Sequence, residues 1–212
     1  MRKIFGHRGL PHIYEENTFK SLNKAQEICD FVETDVRITK DEELVLYHDA
    51  EIQTQKIEEL SLSDIEELID IEISEIHLVS REQIRGDTNF ELKVSSKDDN
   101  LNKVFLEKII NLTNPEDIVS SFDWEIILNN RDSFKSKYGI LIDKENQLFE
   151  SKAMSNLDEK LMFMVEKEIF YSRNFDLPLE RCVVWTVNDK DEISSVLNMN
   201  VYGVVTDIGD KL

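Results

Sequence analysis

The sequence predicts an α/β fold built on a largely parallel sheet. Apolar runs of strand length alternate with segments of helical period along the whole chain, the pattern that βα units produce. The 212 residues suffice for one sizeable domain or two small ones, and no Gly/Ser/Pro-rich linker divides them. Eight βα units fit if "LVLYH" at 44–48 continues the second strand after a bend. The result is a (β/α)8 TIM barrel, smaller than the usual size of about 250 residues. On periodicity alone an open doubly wound sheet fits as well.

The elements follow in order. "KIFGH" at 3–7 is the first strand. A helix follows, with Phe19, Leu22, Ala25, Ile28 and Cys29 on one face and Asn17 or Thr18 as its N-cap. "FVETDVRI" at 31–38 is the second strand, and a helix then opens at "SDIE", where Ser63 and Glu66 have capping-box spacing. "NFELKV", "DIVSSF", "YGILID", "LMFMVEKE", "RCVVWTV" and "VYGVVTD" supply the remaining strands. Further helical patterns cover roughly 99–112, 123–132 and 189–198.

Composition narrows the function. The chain has 25 basic and 44 acidic residues, a net charge of −19, and no Lys/Arg cluster. That surface repels nucleic acid and anionic membranes, so nucleic acid is not an expected partner; it reads instead as a device for solubility. The longest apolar run, "LMFMV" at 161–165, is far too short to span a bilayer. Phe5 is followed at once by Gly6, His7 and Arg8, so the start lacks a signal-peptide core. Cys29 and Cys182 read as buried thiols in a helix and a strand, with no disulfide framework. A cytoplasmic location is expected; oligomeric state is not legible.

The second strand carries the sharpest chemical signal. Alternation puts Val32, Thr34, Val36 and Ile38 on one face and Glu33, Asp35 and Arg37 on the other. Two carboxylates on one face of a buried strand repel unless a cation intervenes, and a hard divalent ion prefers oxygen ligands. The third strand repeats the arrangement, with Asn89, Glu91 and Lys93 opposite Phe90, Leu92 and Val94. In a barrel these strands are neighbours, so Glu91 completes a three-carboxylate site with Glu33 and Asp35. Either strand alone reads as the wet side of an antiparallel sheet; both together, in a chain that otherwise looks parallel, favour a metal.

His7 and His48 close two apolar runs, where barrel strands converge on an active-site mouth and an imidazole can exchange protons near neutral pH. His12 and His77 have no such company.

Taken together, these residues resemble the glycerophosphodiester phosphodiesterase family. The matching pieces are "HRG" at 7–9, "EENT" at 15–18, "ETDVRITKD" at 33–41, "YHD" at 47–49, "FELK" at 90–93, "WTVN" at 185–188 and "GVVTD" at 203–207. The resemblance implies one phosphatidylinositol-phospholipase-like barrel domain over residues 1–212. It implies Glu33, Asp35 and Glu91 as ligands of one divalent ion (Mg²⁺ or Ca²⁺, with Mn²⁺ as a further option) and His7 and His48 as an acid/base pair. Arg8 and Lys93 would contact the phosphate, and Trp185 would line the pocket for glycerol. The implied reaction is hydrolysis of a small-molecule glycerophosphodiester to glycerol 3-phosphate and an alcohol. The rivals are a lipid phosphodiesterase acting on lysophospholipids and a non-catalytic barrel that binds phosphorylated ligands. Two departures stand out. Glu15 replaces the family's usual proline, and the stretch at 50–78 is short and lacks the Arg-Thr-Thr and Pro-Thr-Leu motifs of the usual insertion.

Overall fold

A computed structural model describes residues 2–69, 77–79 and 81–212. Eight parallel strands close on themselves: β1 (Lys3–His7), β2 (Phe31–Ile38), β3 (Thr88–Leu92), β4 (Ile118–Ser121), β5 (Lys137–Ile142), β6 (Leu161–Glu166), β7 (Cys182–Trp185) and β8 (Gly203–Thr206). Each pairs with the next, and β1 pairs with both β8 (Phe5 opposite Val205) and β2 (Phe5 opposite Phe31), which makes the sheet a barrel and excludes the open doubly wound alternative.

Helices α1 (Phe19–Ala25), α2 (Leu62–Ile69), α3 (Asp99–Leu112), α4 (Trp124–Asn129), α5 (Gln147–Met154), α6 (Lys167–Phe170) and α7 (Lys190–Asn198) fill the connections. A 3₁₀ turn at Gly209–Lys211 follows β8.

Alternation along the strands produces two apolar layers. Phe5, Phe31, Ile118, Leu141, Met162, Met164, Val183 and Val205 point inward and fill the barrel, with Phe5 and Phe31 stacked at 4.6 Å between ring centroids. Val32, Val36, Phe90, Leu92, Ile140, Phe163 and Val184 point outward and pack with Leu22, Phe105, Ile109, Ile193 and Val196 of the helices. Every residue of β2 is buried, so Glu33, Asp35 and Arg37 face the barrel interior and not a wet sheet surface.

The connection from β2 to β3 departs from a plain βα unit. Leu44–Leu46 does not continue β2. It turns back antiparallel to it, with Val36 opposite Leu46 and Ile38 opposite Leu44. The turn at Asp41–Glu42, with Glu42 at φ 66°, makes that reversal. A two-residue strand, His77–Leu78, pairs with Leu44–Leu46 in turn.

Between these strands lie a small hairpin (Glu51–Ile52 with Gln55–Lys56), a 3₁₀ turn at Ile57–Glu59 and α2. Val45, Ile52, Ile57, Leu60 and Ile65 form a separate buried cluster beneath them. Each such side chain contributes at most about 1.5–3 kcal/mol on burial, enough together to hold the insertion against the barrel rim. Part of the predicted short insertion, residues 70–76, lies outside the described residues.

Three local expectations shift. Ser61, not Ser63, caps α2, exchanging bonds with Asp64 in the capping-box manner: Asp64 N donates to Ser61 Oγ at 3.2 Å and Ser61 N to Asp64 Oδ2 at 2.8 Å. Helix α1 ends at Ala25, so Ile28 leaves the apolar face and is 53 % exposed, while buried Cys29 sits in the turn beyond the helix. The helix predicted over 123–132 stops at Asn129 and gives way to a 3₁₀ turn.

Candidate active site

The C-terminal ends of the strands surround a cavity of ≈ 200 Å³. On one side it is lined by His7, Arg8, Glu33, His48, Asn89, Glu91 and Lys93, and on the other by Phe122, Leu141, Met164, Trp185, Thr186 and Val205. The charged wall comes from β1–β3 and the insertion, the largely apolar wall from β4–β8.

Glu33, Asp35 and Glu91 each offer one oxygen within 4.8 Å of the others, and all three are buried. Their register explains this: Asp35 lies opposite Glu91 in the parallel β2–β3 pair, and both point inward. Glu33 Oε1 is buried and accepts no hydrogen bond from the protein. Lys93 Nζ lies 3.1 Å from Asp35 Oδ1 and contacts Glu91, and Arg8 Nε lies 3.1 Å from Asp35 Oδ2.

Three carboxylates meet two cations at ion-pair distance, Arg8 and Lys93, with the Arg37 guanidinium farther along the same face of β2. Burial, and then the Asp35 charge, push the Glu33 carboxyl up to about 8. Burial raises Glu91 too, with Asp35 adding to it. Burial also opposes ionisation of Asp35, but Lys93 and Arg8 outweigh it and hold that carboxyl below its usual range. An orphaned buried oxygen, Glu33 Oε1, in a cluster of three carboxylates fits a hard divalent cation.

His7 Nδ1 lies 2.6 Å from Asp207 Oδ1, and its Nε2 is 3.9 Å from Glu33 Oε2. A carboxylate only accepts, so Asp207 fixes the proton on Nδ1 and leaves Nε2 as the free ring atom. Burial disfavours the imidazolium, but Asp207 and Glu33 outweigh it and raise the His7 pKa above 6.5. Asn188 holds Asp207 in place, accepting from its N–H at 2.8 Å and donating to its carboxylate. His48 Nδ1 contacts Asp49 Oδ1 at 2.8 Å in the same way.

The turn after β1 is shaped by Gly9. It sits at φ +96°, and a Cβ there would come within 2.6 Å of the Ser21 backbone, so the loop and α1 can meet only around a glycine. This arrangement lets Arg8 N donate to Glu33 Oε2 at 3.0 Å.

All eight residues nominated from the sequence lie at this end of the barrel, and seven line the cavity itself; Asp35 lies beneath, bridged to Arg8 and Lys93. Trp185 meets Phe122 edge-on, with ring centroids 5.8 Å apart. His12 is exposed in the loop after β1.

Three neighbours were not foreseen. Asn17 is not the cap of α1; Thr18 is, accepting from Ser21 N. Asn17 instead accepts from Thr34 Oγ1 and Asp35 N at 2.8 and 3.1 Å and donates to Asp35 Oδ2 at 2.9 Å. Asp207 was visible as the end of a strand and of the matching piece "GVVTD", without a role, and Phe122 as the end of another strand. For Asp207 the missing link was the side-chain contact with His7 that the β8–β1 pairing permits.

Residues 7–174 match the glycerophosphoryl diester phosphodiesterase family. The chain belongs to that family. It is accordingly a phosphoric diester hydrolase by family and fold. A glycerophosphodiester phosphodiesterase from Thermotoga maritima is 25% identical, with a TM-score of 0.76 over 99% of this chain and 96% of that one. A glycerophosphodiester phosphodiesterase from Parabacteroides distasonis is 21% identical, with a TM-score of 0.73 over 99% and 94%. A phosphodiesterase from Oleispira antarctica, in complex with its product sn-glycerol-3-phosphate, superposes with a TM-score of 0.77 at 17% identity, over 100% and 95%. No curated protein matches the chain in sequence. Among the described residues no helix is long and apolar enough to cross a membrane.

Proposed function

We propose that this phosphodiesterase hydrolyses glycerophosphodiesters to glycerol 3-phosphate and an alcohol, as one barrel domain in the cytoplasm, with one divalent ion held by Glu33, Asp35 and Glu91. The observation that carries the reading is the cavity wall, where a buried carboxylate triad, two histidines and two cations meet. Mg²⁺, Ca²⁺ and Mn²⁺ all suit a carboxylate set. When bound, the ion supplies Lewis-acid charge to the phosphate oxygens and makes an attacking hydroxyl easier to deprotonate.

Arg8 and Lys93 bind the anionic phosphate and offset the charge that grows on its oxygens, and only together with the bound ion would they make the site locally positive within a strongly negative protein. His7 and His48, each with Nε2 left free by a carboxylate on Nδ1, move the protons. One takes the proton of the attacking hydroxyl as the new P–O bond forms. The other protonates the alkoxide that leaves as the old bond breaks. The attacking hydroxyl belongs to water or to the substrate's own glycerol, through a cyclic phosphate. Phe122 and Trp185 enclose the organic part of the diester.

A second reading has its own observation. Phe122 is 42 % exposed at the rim of an otherwise apolar wall, which suits a lysophospholipid.

The test is a screen of chelated and reconstituted protein against metals and diesters, following release of glycerol 3-phosphate. Activity with glycerophosphocholine or its analogues supports the first reading. Activity on lysophosphatidylcholine alone selects the second. His7→Ala and His48→Ala should each lower turnover by roughly 10²–10⁴. No release from any diester with any metal, or parental turnover in both variants, overturns the assignment.

A further inference from the structure

The inward face of β2 carries a charged residue that the mechanism leaves unused. Arg37 follows Asp35 on that face, is only 7 % exposed, and has no carboxylate partner at ion-pair distance among the described residues. Its donors go to two loops at the cavity mouth. Nε and Nη2 both donate to the His48 carbonyl oxygen, at 3.1 and 2.6 Å. Nη1 donates to the Lys93 carbonyl at 3.3 Å and to Ser95 Oγ at 3.2 Å. Ser95 Oγ donates onward to Glu58 Oε2 at 2.9 Å, in the 3₁₀ turn of the insertion.

A buried guanidinium with carboxylates near it but none at ion-pair distance is an expensive way to fill space, since an apolar side chain of similar volume avoids the desolvation cost. What it offers is geometry. A planar fork of donors fixes two acceptors relative to each other, as no apolar side chain or ammonium can.

His48 needs such a device. The ladder between β2 and the returning strand ends one residue earlier, with Tyr47 N donating to Asp35 O. The His48 side chain is 37 % exposed, and its carboxylate neighbour Asp49 is 71 % exposed. Among the described residues, the Arg37 bonds are what hold the His48 main chain.

We propose that Arg37 is a positioning residue for His48: its guanidinium clamps the His48 main chain against the Lys93–Ser95 segment, so that an otherwise exposed imidazole stands at a fixed place over the cavity. The inference rests on His48 acting in proton transfer. It adds that the insertion delivers this group through β2 and not through its own packing.

The test is a double-mutant cycle read by steady-state kinetics on a glycerophosphodiester at saturating divalent metal. Arg37→Met should lower kcat by roughly 10–100-fold, the scale of a displacement of about 1 Å, and shift KM by less than about threefold. Arg37→Lys should recover part of the loss, because one ammonium can hold one carbonyl but not bridge both loops. In a His48→Ala background the same Arg37→Met change should cost less than about twofold, since the group it positions is already gone.

Circular dichroism and melting check the fold. If Arg37→Met does not fold, Ser95→Ala takes its place in the cycle, with a kcat loss of about two- to fivefold expected to vanish in the His48→Ala background. Parental kcat in Arg37→Met, an equal loss in both backgrounds, or a KM effect alone overturns the proposal; the last would make Arg37 a phosphate contact. A parental rate in His48→Ala itself overturns the proton-transfer reading instead, and is seen before the cycle is assembled.

Discussion

Asn17 organises more of the site than its place in a loop suggests. It adopts φ 56°, a left-handed conformation that asparagine tolerates better than most residues, and so turns its amide away from α1 and onto β2. There it accepts from Thr34 and Asp35 and donates to Asp35 Oδ2, holding the carboxylate with Oδ2 toward Asn17 and Arg8 and Oδ1 toward Lys93. A group that orients a ligand in this way tunes affinity without touching the ion. With Asp35 a ligand as proposed, Asn17→Ala should weaken divalent-ion binding by about 10–100-fold, measured by calorimetric titration of chelated protein. Unchanged affinity would reduce Asn17 to a structural bond.

The sequence made Glu33, Asp35 and Glu91 legible because strand alternation is a strict period of two and needs no tertiary knowledge. It hid Asn17, Asp207 and Arg37 for different reasons. An asparagine before a helix reads as a cap, and Asp207 meets His7 only when the barrel closes. Arg37 was placed on the correct face, but its acceptors are backbone carbonyls, which no side-chain pattern reveals.

At the scale of elements, the barrel strands and most helices were visible from periodicity, and α3 begins and ends where its pattern does. The insertion was the weak point. "LVLYH" has the composition of a strand that continues β2, yet the positive φ of Glu42 reverses the chain, and only local backbone geometry decides between the two.

The insertion is then pinned by the cap of α2, with Asp41 accepting from Leu62 N through both oxygens, at 3.0 and 3.1 Å, and Asp64 from Ser61. Hydrogen bonds from Thr39 hold the Asp41 carboxyl below its usual 3.8, and those from Ser61 do the same for Asp64. The sign follows. With folded pKa values depressed, both carboxylates stabilise the insertion fully above the unfolded value near 3.8 and lose that contribution as pH falls through the lower folded values. Acid titration followed by α-helical ellipticity should show Asp41→Asn and Asp64→Asn narrowing the stability difference from the parent as pH drops below 4. A difference that stays constant to pH 2 would remove these caps from the account. Ser61→Ala, which takes away the hydroxyl partner, should cost about 1 kcal/mol at neutral pH.

For the whole molecule, the carboxylate triad bears on stability as well as chemistry. Glu33 and Asp35 belong to β2 and Glu91 to β3, while Arg8 N from the turn after β1 donates to Glu33, so the cluster joins three consecutive staves of the barrel. Burial and the neighbouring Asp35 carboxylate raise the Glu33 pKa to about 8, so without a cation Glu33 keeps its proton at neutral pH. An ion that binds the folded chain and not the unfolded one shifts the equilibrium by mass action, by about 2.7 kcal/mol at a hundredfold excess over Kd. For a chain of this size that is a rise in Tm of roughly 5–11 °C. Melting curves of chelated protein with and without Mg²⁺, Ca²⁺ or Mn²⁺ should show that rise for the ion that supports activity. Glu91→Gln should abolish the shift, while Glu67→Gln, on the exposed face of α2, should leave it whole. An equal shift in Glu91→Gln would assign the stabilisation to general screening of a protein carrying −19 charges and take the ion away from the triad.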